Sequence, residues 1–338
     1  MGYNIGINGF GRMGRLITRL VQPWSDIRLV HINDPEGDVE SFAHLLNFDS
    51  IQGRWHQQAE AQDDILAIDA DRISCSRNRF LGETDWSKCD LVFEASGQFR
   101  SQTSLQTYLD QGVGRVIVTA PVHDPAVPNI VVGVNHHEYQ PDQHPIVSAA
   151  SCTTNCLAPI VKVIHPALGI EHGSITTIHD ITNTQQVLDA HHKDLRRARA
   201  ASLNLIPTTT GSAKAINGLF PELEGRLSGH AVRVPLANAS LTDCVFELAT
   251  QTDANTVNGL LTEASKAGLT GILGVETRPL VSSDYCGDSR SCIVDAQSTL
   301  VINETHLRLY AWYDNEWAYV NRCADLLRMA LALGPAGS

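Results

Sequence analysis

The sequence predicts an α/β protein: a doubly wound parallel sheet followed by a mixed α+β domain. Three observations carry this. The first ~150 residues alternate short, β-rich apolar runs with amphipathic segments, as repeated βα units require. Several of those runs are apolar at consecutive positions, the pattern of strands covered by helices on both faces. The 338 residues are also about two ordinary domains of ~150 residues each.

In chain order, strands are expected at Tyr3 to Asn8, Ile27 to Asn33, Leu91 to Ala95, Arg115 to Thr119, Ile130 to Val134 and Ile146 to Ala149, with a helix at Arg12 to Val21. The last strand runs into Ser151-Cys152. Beyond it, Leu157 to Leu168 has apolar residues at helical spacing, and Ser174 to His179 is strand-like. The expected division is a first domain over 1–150, a second over 151–315 and a C-terminal helix over 316–338. Val320, Cys323, Ala324, Leu327, Met329 and Ala330 give that helix an apolar side with which to pack back on the first domain.

Composition narrows the function. With 43% hydrophobic and 18% charged residues the chain is of ordinary globular type, and a net charge of −12 argues against nucleic acid as a partner. Neither a secretory leader nor an apolar run of ~18 residues is apparent, so no membrane insertion is expected. Eight cysteines, none in Cys-x-x-Cys pairs, fit a reducing cytoplasm. Cys152 and Cys156 lack a second ligand pair nearby, so no metal is expected. The one dense basic stretch, His191 to Arg199, suits either a solvated face or a small phosphorylated substrate.

Gly9, Gly11 and Gly14 form a Gly-x-Gly-x-x-Gly run, a weak signal alone. Here it follows a predicted strand and opens a predicted helix, so the backbone can approach a pyrophosphate at a helix N-terminus. Asp34 ends the second predicted strand 20 residues after Gly14. A carboxylate there accepts from the adenosine ribose hydroxyls and repels a 2′-phosphate, which favours NAD over NADP in a Rossmann domain.

Cys152 is expected at a helix N-terminus, where the macrodipole and free N–H groups favour a thiolate and supply donors to an oxyanion. The competing reading is a buried cysteine in a capped helix start. His179, at the end of a strand-like run, is a candidate base, although it is one of 14 histidines.

Asn8 to Arg15, Ser151 to Cys156, His179 with Thr182-Asn183, His192 to Arg199, Ile206 to Ala215, Arg233-Val234-Pro235 and Trp312 to Trp317 together resemble glyceraldehyde-3-phosphate dehydrogenase along essentially the whole chain. The resemblance implies an NAD-dependent enzyme, a homotetramer, with Cys152 as nucleophile and His179 as base. It implies that Thr182, Arg197 and Arg233 hold the substrate phosphate of glyceraldehyde 3-phosphate, and that Ser151, Thr153, Thr210 and Gly211 line the site of the attacking anion. For the cofactor it implies Arg12 and Met13 at the pyrophosphate, Asp34 at the ribose, Arg77 and Thr119 nearby, and Asn315 at the nicotinamide carboxamide.

The chain departs from the family pattern at Asp180, where a small residue is common, at Ile181 in place of an aromatic, and at Thr184 in place of Asp. If the strand continues, Asp180 points away from the face of His179 and leaves the base unaffected. With Asn33-Asp34-Pro35 and Leu46 to Ser50, these departures resemble the subgroup associated with arsenic resistance, in which arsenate replaces phosphate as the acceptor. An erythrose-4-phosphate dehydrogenase is the alternative enzyme, and a non-enzymatic nucleotide- or RNA-binding protein the alternative class.

Overall fold

The computed structural model describes residues 2–332; residues 333–338 of the expected C-terminal segment lie outside the described residues. The chain divides into two compact units. One comprises the chain up to Val132, His136–Ser151 and the chain from Val320 onward; the other comprises Gly133–Asn135 and Cys152–Tyr319.

The first unit contains β1 (Tyr3–Asn8), α1 (Arg12–Val21), β2 (Ile27–Asn33), α2 (Val39–Asn47), β3 (Phe48–Asp49), β4 (Gly53–Arg54), β5 (Ala59–Gln62), β6 (Ile65–Ile68), β7 (Asp71–Ser76), β8 (Leu91–Glu94), α3 (Gln102–Asp110), β9 (Arg115–Val118) and β10 (Ile146–Ser148). Its eight-stranded sheet runs β10-β9-β8-β1-β2-β7-β6-β5. The six strands from β10 to β7 are parallel, and β6 and β5 add an antiparallel edge. Consecutive burial along β8 is what a sheet covered on both faces requires. The helices start where side chains satisfy their first N–H groups: Asp38 accepts from Ser41 N at 2.8 Å ahead of α2, and Ser101 caps α3 in the same way.

The chain leaves β1 toward β2 and later returns to β8 on the other side of β1. Such a reversal of winding places a ligand crevice at the carboxyl end of β1, where Gly9 to Gly14 lie.

One expected strand is absent. Residues 130–134 form no strand, and the nearest pairing is a single bridge just before them, Asn129 to Ser148. Gly133 then takes φ +87° and turns the chain, so this apolar run is buried as a turn and not as a strand.

The second unit contains α4 (Cys152–Leu168), β11 (Ile170–His179), β12 (Ile206–Thr209), α5 (Ser212–Leu219), β13 (Leu227–Arg233), β14 (Ser240–Leu248), α6 (Ala254–Lys266), β15 (Leu273–Glu276), β16 (Cys292–Ile302) and β17 (His306–Tyr313); α7 (Trp317–Ala330) follows. Its seven strands run β12-β13-β11-β14-β17-β16-β15, parallel at β11/β13 and β15/β16 and antiparallel elsewhere. β14 alternates buried and half-buried residues, so one sheet face is core. α4 packs across β11, β14, β16 and β17. Two register pairs matter below: His179 lies beside Arg233, and Ser240 opposite Tyr313, at one end of the sheet.

No helix among the described residues is long and apolar enough to cross a membrane. None of the eight cysteines forms a disulfide among the described residues. The described residues contain no group of three or more His, Cys, Asp or Glu placed to hold a metal ion.

Candidate active site

β10 leads through Ala149, Ala150 and Ser151 into α4, whose first residue is Cys152. Ala150 is a buried, non-glycine residue at φ 56°, a conformation that costs about 1 kcal/mol. Its N–H is fixed by Ser148 Oγ at 3.0 Å. The half-buried thiol of Cys152 is thereby held at the first turn of a 17-residue helix.

Cys152 Sγ lies 3.8 Å from His179 Nε2, within reach of a hydrogen bond to sulfur. On the other side of the ring, Nδ1 meets three groups: Asp180 Oδ1 at 2.6 Å, the Asp180 carbonyl at 2.9 Å and Arg233 Nη1 at 2.7 Å. Burial works against a charge on His179. Asp180 and the Cys152 sulfur outweigh it and lift the imidazole to about 9.

The side chain of Asp180 therefore turns toward the base, contrary to the expectation from strand alternation. β11 ends at His179, so the two-residue period no longer applies to the next residue.

Arg233 sits close enough to feel Cys152, Asp180 and Arg197. Burial is the largest influence, pushing its guanidinium below the ordinary arginine range; the sulfur opposes this, and the charge of Arg197 adds to it. Arg197 Nη1 donates to Thr184 Oγ1 at 3.1 Å, and Thr184 shares a hydrogen bond with Thr182 Oγ1 at 3.0 Å. Two mutually repelling guanidiniums, one of them beside threonine hydroxyls, favour an anion. The basic stretch thus divides: Arg197 joins this group, and Arg199 makes an exposed ion pair with Asp189 at 2.8 Å.

The other residues expected at an anion site are less gathered. Thr153 lies next to Cys152 and shares a 2.8 Å hydrogen bond with the hydroxyl of Tyr313. Thr210 turns its hydroxyl to Ser212 at 3.1 Å, and Gly211 is the N-cap that immediately precedes α5. Ser151 precedes Cys152 in the turn.

The glycine run has differentiated roles. A Cβ on Gly9, at φ +94°, would lie 2.4 Å from Ser96 N, and one on Gly14 would lie 2.2 Å from Gly9 O, so both are required by the fold. A Cβ on Gly11 would meet nothing within 4 Å. The space beside Gly11 is therefore open at the start of α1, which no side chain caps, and this suits the approach of a pyrophosphate. Asp34 accepts from Phe10 N at 2.7 Å and Glu36 N at 2.9 Å, which fixes its carboxylate at the end of β2. Arg12 is ion-paired with Asp49, and Met13 is half-buried beside it. Arg77 is exposed, and Thr119 Oγ1 donates to Glu94 O at 3.3 Å. Asn315 is buried with its amide oxygen accepting no hydrogen bond among the described residues, an arrangement apt for an amide N–H of a ligand.

Comparison with known proteins agrees with this geometry. Residues 3–102 match the glyceraldehyde 3-phosphate dehydrogenase NAD binding domain, and residues 151–315 match the C-terminal domain of the same family. The chain is 56% identical over 337 residues to glyceraldehyde-3-phosphate dehydrogenase 3 of Nostoc sp., covering 98% of this chain and 100% of that protein. It is 44% identical to glyceraldehyde-3-phosphate dehydrogenase 1 of Bacillus cereus, over 95% of this chain and 96% of the relative. The glyceraldehyde-3-phosphate dehydrogenase of Cereibacter sphaeroides is also 44% identical, over 99% of each chain.

The chain belongs to the glyceraldehyde-3-phosphate dehydrogenase family. That family oxidises glyceraldehyde 3-phosphate with NAD as hydride acceptor and phosphorylates the product, and the expected NAD cofactor and α/β fold stand with it.

Three contributors escaped sequence reasoning. Asp180 was placed on the wrong side. Tyr313 and Ser240 went unnoticed, although Tyr313 lies inside the Trp-Tyr-Asp-Asn-Glu run and packs its ring edge-on to His179 at 6.2 Å. Ser240 had no signal of its own; its role arises from the sheet register alone.

Proposed function

We propose that this chain converts glyceraldehyde 3-phosphate to an acyl phosphate, or with arsenate an acyl arsenate, through a thioester on Cys152. The single observation that carries this reading is the 3.8 Å contact between Cys152 Sγ and His179 Nε2 at the start of α4.

The chemistry balances on these two residues. As a thiolate, Cys152 attacks the aldehyde carbon, and the imidazolium of His179 delivers its Nε2 proton to the forming alkoxide. Bound NAD supplies the hydride acceptor. His179, now neutral, takes the hydroxyl proton back as the hemithioacetal becomes a thioester. The entering anion then expels the Cys152 thiolate, which again faces an imidazolium. N–H groups of the first turn of α4 stabilise the oxyanions of both additions.

Thr182, Arg197 and Arg233 hold the substrate phosphate, and Ser151, Thr153, Thr210 and Gly211 receive the attacking anion. Gly9, Gly11, Arg12, Met13, Gly14, Asp34, Arg77 and Thr119 serve NAD, with Asn315 presenting the nicotinamide. The working division is 1–150 for NAD, 151–315 for catalysis and a C-terminal segment from 316 whose helix α7 returns to the first domain, in a cytoplasmic homotetramer. Phosphate and arsenate are tetrahedral oxyanions of similar size, so the same residues receive either.

The test follows NADH formation from glyceraldehyde 3-phosphate with phosphate, with arsenate and with neither, and repeats it with erythrose 4-phosphate. Sustained, anion-dependent turnover is expected, falling more than about 10⁴-fold in Cys152→Ser. A Cys152→Ser enzyme as active as the parent sinks the thioester. Preference for erythrose 4-phosphate reassigns the substrate.

A further inference from the structure

We propose that Asp180 is a positioning residue for the base: its carboxylate holds the proton of His179 on Nδ1, so that Nε2 is the atom that exchanges protons with the Cys152 sulfur and the substrate hydroxyl. This rests on the reaction proposed above and adds a member that the family's common small residue at this position does not supply.

The geometry is specific. Asp180 Oδ1 is 2.6 Å from His179 Nδ1. The carboxylate does not rotate freely, because Oδ1 also accepts from Ser240 Oγ at 3.1 Å, and Ser240 Oγ in turn accepts from Asp180 N at 3.2 Å. Ser240 is placed by the register of β14, directly after Ala239 at φ 66°. Asp180 is fully buried, and its Oδ2 accepts no hydrogen bond among the described residues. A buried carboxylate so short of neutral donors needs a cation beside it. The imidazolium ring is the group within reach of Oδ1.

Arg233 makes the carboxylate necessary. Its Nη1 lies 2.7 Å from the same Nδ1, and a guanidinium can only donate. Facing the ring alone, it favours an unprotonated Nδ1 with the proton on Nε2, the tautomer that cannot act as a base toward Cys152. Asp180 reverses this preference in two ways. Its carboxylate accepts from Nδ1–H, and its carbonyl oxygen takes a hydrogen from Arg233 Nη1 at 3.1 Å, giving the guanidinium another acceptor. The remaining titratable groups around the ring are Cys152 on α4 and Tyr313 on β17, whose phenol is kept protonated by burial. The raised value of His179 agrees with this arrangement, since the bond to Asp180 is the largest influence favouring the charge. No proton leaves Nδ1 at any step.

The test uses the full-length enzyme and two readouts that need no substrate. The first is the nitrogen and proton spectrum of the His179 imidazole in the parent protein, where a strongly downfield Nδ1 proton is expected. A ring protonated only on Nε2 near pH 10 overturns the proposal without any variant. The second is the rate of Cys152 alkylation by iodoacetamide against pH in the parent and in Asp180→Asn. The amide is expected to move the His179 titration, and the limb of the alkylation profile that follows it, to lower pH by at least about one unit, a tenfold change in that proton equilibrium.

Turnover in Asp180→Asn should fall by about 10²-fold or more in kcat, with KM for the aldehyde little changed. A His179 titration and alkylation profile unmoved by Asp180→Asn leaves Asp180 a structural residue and ends the proposal. If those profiles shift while the parent shows no turnover of glyceraldehyde 3-phosphate, the orienting carboxylate stands and the reaction assignment falls.

Discussion

Each unit of this chain buries a carboxylate, and the two are treated in opposite ways. Glu94, at the end of β8, accepts from Asn8 Nδ2 at 2.7 Å, from Tyr108 OH at 2.6 Å and from both the N–H and the hydroxyl of Ser96. Burial raises its carboxyl above the ordinary range, although all four donors work to lower it. Asp180 has one hydroxyl and an imidazole on Oδ1 and nothing on Oδ2. A buried acid surrounded by neutral donors ties a scaffold together; one left short of donors beside a base has its charge available for chemistry.

The largest effect that could break this comparison comes from Glu94→Ala. It strands donors from Asn8, Ser96 and Tyr108 and is expected to destabilise the fold by about 3 kcal/mol or more, read as a lower unfolding midpoint in urea. The rate of Cys152 alkylation at neutral pH should stay unchanged. If it drops, Glu94 is not confined to the scaffold.

A second effect is set by pH. His179 titrates near 9 when folded, above its ordinary ~6.5. Its contribution to stability is complete below ~6.5 and is lost as pH rises through about 9. The urea midpoint of the parent should therefore fall between those values, and that of His179→Asn should fall less. Glu94, also raised, contributes with the same sign at the acid end: its share is present below the ordinary carboxylate range and lost as pH rises through its own value. Two separate descending steps sharpen the comparison, and equal slopes for the parent and His179→Asn remove the histidine's part.

The smallest effect is Ser240→Ala, expected to cost about 1 kcal/mol. It should lower kcat much less than Asp180→Asn, because the carboxylate keeps its imidazole. An equal loss in both variants would make Ser240 the residue that positions the ring.

Much of the fold was legible, for identifiable reasons. β1, α1 and β2 appear where expected because consecutive apolar residues, a glycine turn and helical spacing all agree locally. The short strands between Phe48 and Ser76 were missed; β4 and most of β5 are exposed and carry no apolar signal. Ile130 to Val134 misled because burial was taken for extension. The position of Cys152 at a helix start was readable from a strand followed by helical spacing. Its partner was not, since the approach of His179 and Arg233 is set by pairing between β11 and β13, 54 residues apart, and by the packing of α4 on that sheet. Ordered motifs shared with a family supplied what local patterning could not. The orientation of Asp180 escaped both, because the strand stops one residue before it.

If Arg197 and Arg233 hold the substrate phosphate as proposed, their guanidiniums also act on how an anionic substrate arrives. The whole chain carries a net charge of −12, so at long range it repels a phosphorylated aldehyde, while these two cations attract it at short range. Ions in solution screen charges beyond about 8 Å at physiological strength and leave closer, partly buried ones largely intact. Salt at physiological strength thus removes most of the repulsion and little of the attraction, so on the proposed assignment the balance favours approach of the substrate more at that salt than in dilute buffer.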